Sequence, residues 1–194
     1  QKVWSHLCLN NTMIKIGLLV FLYLFPNENG HKLVKTKIAH DITVSIPKEL
    51  MVMTPDDIAL RHPSVRKPIA AFTDEDRLID FSIKTSATHW PDADIAMSQK
   101  FFKAGIYNLY DRVDMVEEGI REISKKEYIF FEFDSRINGD RRAMGDQDAI
   151  LKYTYVLYLV EKGRTLVFTF TCPERMKDDW QETARAVMDS LKVK

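Results

Sequence analysis

The sequence is short of cysteine, has no excess of either charge and contains no apolar run long enough to span a membrane. Its 194 residues include two cysteines, Cys8 and Cys172. Neither lies in a CxxC pair or at metal-ligand spacing from a histidine, which argues against a zinc site. A disulfide between them stays open, and removal of the first segment would leave Cys172 as a lone buried thiol.

The balanced charge and the missing motifs exclude several classes of function. Lys and Arg number 28, as do Asp and Glu, and no long run of one sign occurs, so binding to nucleic acid is not expected. The sequence has no P-loop, no GxGxxG and no GxSxG, so it lacks a phosphate cradle and a shaped nucleophile turn. A helix amino end beside Cys172 would activate its thiol, whereas burial would make it inert. We predict a non-catalytic protein without cofactor or metal.

The amino-terminal part resembles a secretory signal peptide. A lysine after Met13 precedes an uncharged apolar run from Ile16 to Phe25, which is shorter than the about 20 residues of a spanning helix. Residues 13–30 therefore predict export to the periplasm or secretion, with no membrane span after cleavage. Tethering to the inner membrane and a buried element of the domain remain alternatives, because no small-x-small cleavage pattern follows Phe25. The true start is either Gln1 or Met13.

The remaining chain has the composition of an ordinary globular domain. Apolar residues make up 45% and charged residues 29%, and there is no repeat or flexible linker. We predict one domain over residues 32–194, preceded by an amino-terminal segment at 1–31.

Alternating apolar residues and two helical stripes predict the order of elements. Period-two patterns predict strands at 35–46, 69–73, 78–87, 113–123, 127–137, 151–160 and 165–171. Of these, 69–87 should form a hairpin with one solvent face, and the last four strands a meander. Helices are predicted at 93–110 and from Pro173 to the end of the chain, the latter with a stripe of Trp180, Ala184, Val187 and Leu191. The proline-containing range 51–68 predicts a surface loop with at most one helical turn, at 55–60.

These elements predict an α+β fold. It is an α/β/α sandwich with a central antiparallel sheet of about six to seven strands and two main helices. The order, together with 41–50 (DITVSIPKEL), 128–133 (YIFFEF), 166–171 (LVFTFT) and the closing helix at 180–194, resembles the PsbP-like superfamily, the group of PsbP, Mog and DcrB-type envelope proteins. The resemblance covers 35–194. It implies a non-enzymatic binding or assembly factor, and it supplies no catalytic residues.

Two segments carry candidate binding residues. The range 136–148 joins two predicted strands and contains Arg136, Asp140, Arg141 and Arg142, whose guanidinium groups suit a carboxylate, a phosphate or a partner protein. Its acids do not match calcium-loop spacing, and a solvated loop is the alternative.

The second segment precedes the first long helix and contains His89, Trp90 and Asp92, which suit a small-ligand or metal pocket. In the alternative, Asp92 caps the helix and Trp90 packs on the sheet edge. Three further histidines are predicted to lie on the surface: His31, His40 and His62.

The leading interpretation is an exported, non-catalytic module that binds a protein partner. The rival is a small-ligand or metal binder, or a hydrolytic enzyme, that uses the segment from His89 to Asp94. The sequence leaves the partner and the oligomeric state open.

Overall fold

The computed structural model describes residues 30–64, 66–88, 94–139, 148–161 and 163–194. These ranges form three α-helices and two antiparallel sheets. The strands are β1 (Leu33–Lys37), β2 (Ile42–Pro47), β3 (Met51–Val52), β4 (Ala70–Thr73), β5 (Asp80–Thr85), β6 (Arg112–Ile123), β7 (Lys126–Ile137), β8 (Ile150–Glu161), β9 (Arg164–Pro173) and β10 (Lys192–Val193). The helices are α1 (Pro55–Arg61), α2 (Ile95–Leu109) and α3 (Lys177–Asp189), with a 3₁₀ turn at Glu174–Met176.

The larger sheet has seven strands in the order β3-β4-β5-β9-β8-β7-β6, and the smaller has the order β1-β2-β10. The α+β class and the predicted meander from β6 to β9 are confirmed. The meander strands are 10 to 12 residues long, so each repeats its apolar alternation many times.

The same alternation explains where the two cores lie. Tyr128 and Phe130 point to the face covered by α3, where Trp180 and Val187 are buried. The residues that alternate with them along β7 point to the other face, where Phe102 and Ile106 of α2 pack on Ile129, Phe131 and Phe133. Successive side chains of a strand leave on opposite faces, so one strand serves both cores.

Two predictions about the ends of the domain are wrong. The range 35–46 is a hairpin of β1 and β2, because the chain turns where Ile38 N and Ala39 N donate to Ile42 O at 3.0 and 3.3 Å. The chain also does not end in a helix: β10 follows α3 and pairs with β2 through Lys192 and Thr43.

The region between the two sheets is more ordered than predicted. Thr54 begins α1 with a capping box, in which its hydroxyl accepts from Asp57 N and the Asp57 carboxylate faces back to Thr54. Pro55 occupies the first helical turn, and α1 reaches Arg61, one residue beyond the predicted turn. Helix α2 is capped by Asp94, whose Oδ1 accepts from Ala96 N at 2.8 Å. The alternative cap, Asp92, is therefore wrong.

No helix within the described residues is both long and apolar enough to cross a membrane.

Candidate functional site

The structure describes one of the seven residues that the sequence singles out. Arg136 lies at the end of β7. Asp140, Arg141 and Arg142, like His89, Trp90 and Asp92, lie outside the described residues.

The surroundings of Arg136 are fixed by strand pairing. Arg136 stands opposite Arg112 of β6 and Leu151 of β8. Its carbonyl accepts from Asp111 N at 3.0 Å, and the Asp111 carboxylate accepts from Asn138 N at 2.7 Å. The backbone at this end of the sheet is therefore tied to the chain that enters β6.

Two adjoining clefts open beside Arg136. One, of about 340 Å³, is lined by Ala149, Leu151, Glu174 and Arg175. The other, of about 240 Å³, is lined by Arg112, Asp114, Asp134, Ser135, Arg136, Leu151 and Glu174. Because Leu151 and Glu174 line both, the clefts form one continuous surface, which we call the arginine surface.

The charges on the arginine surface are unevenly paired. Arg112 forms an ion pair with Asp114 at 2.8 Å, and Asp134 is paired with Lys177. Arg136 and Arg175 are exposed and form no ion pair with any described residue. Two guanidinium groups thus face solvent on either side of the apolar Leu151, which is 44% exposed.

The cross-strand pair that follows Arg136 and Leu151 on β7 and β8 leaves the sheet on the opposite face, because successive side chains of a strand alternate. Ile137 pairs across the strands with Ile150, and both are exposed, Ile150 by 52%. The exposed apolar side chain on the arginine surface itself is Leu151, and an apolar group rimmed by arginine is typical of protein interaction surfaces. The described residues that line the clefts include no histidine and no cysteine, so these residues offer neither a thiol nor an imidazole base.

Cys172 is not an activated thiol. It is buried and free, and burial raises the pKa of its thiol to about 12, with the Asp134 carboxylate adding to the effect. The low-pKa alternative is wrong, and the interpretation as a small buried hydrophobe is confirmed.

A second polar site lies where the sequence predicts a solvent face. The carboxylate of Asp80 on β5 is 3.4 Å from Arg61 Nη2 and 3.6 Å from His62 Nε2, measured to its Oδ2 atom. Arg61 Nη1 also donates to the Thr73 hydroxyl at 2.8 Å, and that hydroxyl donates to Ile79 O. We call Arg61, His62, Thr73 and Asp80 the His62 cluster.

The His62 cluster corrects the prediction that this histidine lies on the surface. His62 is only 8% exposed, and neither ring nitrogen has a hydrogen-bond partner among the described residues. Asp80 Oδ1 is likewise buried without a partner. The chain leaving α1 folds onto β5, so the predicted solvent face of the hairpin is partly covered. The other two histidines differ: His40 is exposed as predicted, whereas His31 stacks on Trp180 with ring centroids 3.7 Å apart.

Burial perturbs the titration of this cluster. Desolvation lowers the pKa of His62, although the Asp80 carboxylate opposes the shift. Desolvation also raises the pKa of Asp80, against the attraction of His62 and Arg61. Desolvation also lowers the pKa of Lys84, which lies on the same face of β5 as Asp80. Perturbed pKa values in several neighbouring groups are common at functional sites.

The described part of the chain brings together no group of three or more His, Cys, Asp or Glu side chains with metal-binding geometry.

No family model matches the sequence, and no curated protein matches it either. Solved structures do match. Cyanobacterial PsbP (CyanoP) from Synechocystis is 12% identical with a TM-score of 0.58, over 84% of this chain and 92% of that one. LpqN, involved in cell envelope biogenesis of Mycobacterium tuberculosis, is 9% identical with a TM-score of 0.53, over 84% and 90%. The Ran-binding protein Mog1p of Saccharomyces cerevisiae is 8% identical with a TM-score of 0.53, over 84% and 96%. At these identities the likeness establishes the fold.

Proposed function

We propose that this chain, whose fold is that of the PsbP-like proteins, is a non-catalytic binding module that contacts a protein partner through the arginine surface. The observation that carries the proposal is the junction of two clefts at Leu151, beside which Arg136 and Arg175 form no ion pair with a described residue. A protein-binding module needs an exposed anchor of this composition, since arginine and apolar side chains supply much of the energy of interfaces.

The rigidity of this end of the sheet supports the proposal. Arg136 is held between two neighbouring strands, and its backbone is hydrogen bonded to Asp111. A surface that is already ordered loses less conformational entropy on binding. The sequence-predicted residues Asp140, Arg141 and Arg142 belong to the proposal too, because they follow β7 closely along the chain.

The comparisons lend weaker support. Mog1p is named for binding Ran, and LpqN for its part in cell envelope biogenesis. Shared fold is a weak warrant for shared function, so the proposal depends on the surface and takes no partner from these proteins.

The test is affinity capture from the envelope fraction of the source cell. Three forms of the chain serve as bait: the unaltered chain, Arg136→Ala with Arg175→Ala, and Lys35→Ala with Lys37→Ala. The last pair removes the same charge from β1 in the smaller sheet. We expect one specific partner with the unaltered and control baits and its loss with the arginine variant, because truncating interface arginines often costs more than about 1 kcal/mol each.

Direct titration of the recovered partner then distinguishes binding at the arginine surface from general electrostatic attraction. Leu151→Asp should weaken binding as strongly as the arginine variant, because it places a charge between the two clefts. Equal capture by all baits, or loss with the lysine variant as well, would contradict a role for the arginine surface.

We further propose that the protein is exported through residues 13–30. The lysine and apolar run after Met13 support this proposal. A fusion of residues 1–31 to an alkaline phosphatase that folds only outside the cytoplasm should be active, and Leu18→Arg with Val20→Arg should abolish that activity. An inactive parent fusion would contradict export.

A further inference from the structure

One half of the sheet face beneath α2 is polar where a packed face would be apolar. Asp80 pairs with Thr73 on one side and Thr171 on the other, and Thr171 pairs with Thr154, so four polar residues form a row across β4, β5, β9 and β8. The next row on the same face adds Ser82 and Thr169. On β7 the same face carries Phe131 and Phe133, which α2 covers.

This polar half is partly open. Thr169, Thr171 and Lys84 are all half-buried, although the chain after α1 buries its own His62 against Asp80. Burying hydroxyl and charged groups without partners is costly, so a sheet face that exists only to pack against a helix would not carry them. The composition therefore indicates a face that contacts polar groups.

The hydrogen-bonding capacity of His62 is unused. Both ring nitrogens are buried and have no hydrogen-bond partner in the described part of the chain, although a histidine nitrogen normally donates or accepts when it is removed from water. Asp80 is too far from Nε2 for a hydrogen bond, at 3.6 Å. The imidazole is thus held in place by packing, and no described residue uses its hydrogen-bonding capacity.

The charge around the imidazole is predominantly positive. Arg61, Lys84 and Lys152 all act electrostatically on the single carboxylate of Asp80. Lys84 is half-buried and forms no ion pair with a described residue. Among the described residues, one carboxylate faces three cationic side chains, so the site has a surplus of positive charge in a region of reduced dielectric, where it attracts anions most strongly.

We propose that this face, between the chain leaving α1 and helix α2, binds a small anion with a carboxylate or phosphate group through His62 and Lys84. The anion's oxygens accept from the imidazole and the ammonium, while the hydroxyls of Thr169 and Thr171 line the sheet beneath. The site is separate from the arginine surface, and it does not depend on the proposed function.

The test uses the full chain with inorganic phosphate and with acetate as probes, each against chloride at equal ionic strength. Binding is followed by thermal unfolding and by the ¹⁵N resonances of the histidine rings. We expect a saturable rise in the melting temperature with at least one probe, together with a shift of the His62 ring resonances. The probe that binds more tightly, phosphate or acetate, identifies which anionic group the site prefers.

A matched pair of variants tests the location. Lys84→Gln keeps most of the side-chain stem and should weaken binding about tenfold, the usual cost of one charge-assisted hydrogen bond. Lys48→Gln removes an exposed charge between β2 and β3 and should leave binding unchanged. Melting of both variants without added anion checks that they fold.

Three outcomes would overturn the proposal. They are the lack of saturable stabilisation by either probe, perturbation confined to histidines other than His62, and equal affinity in Lys84→Gln and the unaltered chain. Each would leave the His62 cluster as a device that only fastens the chain after α1 to the sheet.

Discussion

Glu132 is a carboxylate in the middle of β7 with 1% of its surface exposed. Its oxygens accept from Arg185 Nε and Nη2 at 3.1 Å each and from the Tyr153 hydroxyl at 3.0 Å, and the Gln181 amide also donates to it. A buried charge of this kind adds little stability by itself, but it is costly to leave unpaired. Arg185 and Gln181 lie on α3, so the network fixes how α3 sits on the sheet.

We expect Arg185→Met to destabilise the protein by about 2 to 3 kcal/mol, somewhat below the usual cost of breaking a fully buried pair because Arg185 is partly exposed. Urea denaturation followed by circular dichroism measures the change. Glu182→Gln is the control, because Glu182 also contacts Arg185 but is exposed, and its loss should cost less than about 0.5 kcal/mol. Equal effects of the two variants would show that the network does not hold α3.

His62 gives the protein a pH-dependent stability. Burial lowers its pKa below the ordinary 6.5, so the unfolded chain takes up a proton before the folded one does. Stability therefore falls as pH drops from about 7.5 to about 5.5. Asp80 acts oppositely, because its raised pKa lets the folded state bind a proton first, but its contribution changes only between that pKa and 3.8.

The measurement is the free energy of unfolding at both pH values for the unaltered chain and His62→Gln. The variant should lose less stability on acidification than the parent, even though it is less stable at neutral pH. His40→Gln, at an exposed position, is the control. A parent and His62→Gln with the same pH dependence would refute the link.

At the scale of elements, Trp180 packs α3 against His31, which precedes β1, and against the larger sheet. It is 5% exposed, stacks on His31 at 3.7 Å and packs against Phe170 of β9. The sequence predicts this position as part of the apolar stripe, and the structure confirms it, although Leu191 of the same stripe lies beyond the end of α3.

Truncation of Trp180 tests how far the stripe holds the helix. Trp180→Ala should cost about 3 to 5 kcal/mol, the usual penalty for removing a large aromatic side chain from a core. Tyr107→Ala, at an exposed position of α2, should cost less than about 1 kcal/mol. Urea denaturation of both variants provides the comparison, and similar penalties would mean that α3 is held mainly by its polar network.

The sequence predicts some elements far better than others for a physical reason. The strands of the meander are long, and each repeats its pattern enough to be read locally. The turn at 38–41 contains neither glycine nor proline, and Ile38, Ile42 and Ile46 keep one phase across it. Nothing local therefore marks the hairpin, and one strand is predicted where two exist.

At the scale of the whole molecule, burial depends on contacts that the local pattern does not contain. Asp80, Ser82 and Lys84 alternate with apolar neighbours as they would on a solvent face, yet the chain after α1 covers part of them. The local sign is an arginine and a histidine at the end of a capped helix. Arg136, by contrast, could be placed at the end of a strand from the sequence, because β7 has a clear alternation.

The unequal burial of the elements predicts an unequal local stability. Helix α1 has no buried residue of its own, and both residues of β3 are exposed, whereas β7 and β8 carry apolar side chains into both cores. Segments with few buried apolar contacts open at lower free energy than the core. Helix α1 is held to the sheet chiefly by polar contacts of Arg61 and by the burial of His62.

We therefore expect native-state hydrogen exchange to separate two groups of amides. The N–H groups of Ile58 and His62, which close the turns of α1, should exchange through local opening. Those of Phe131 and Leu157 should exchange only through global unfolding, with a free energy that falls steeply with added denaturant. If Ile58 and Phe131 exchanged with one common free energy, α1 would be an integral part of the cooperative core, and its polar anchoring would be stronger than its burial indicates.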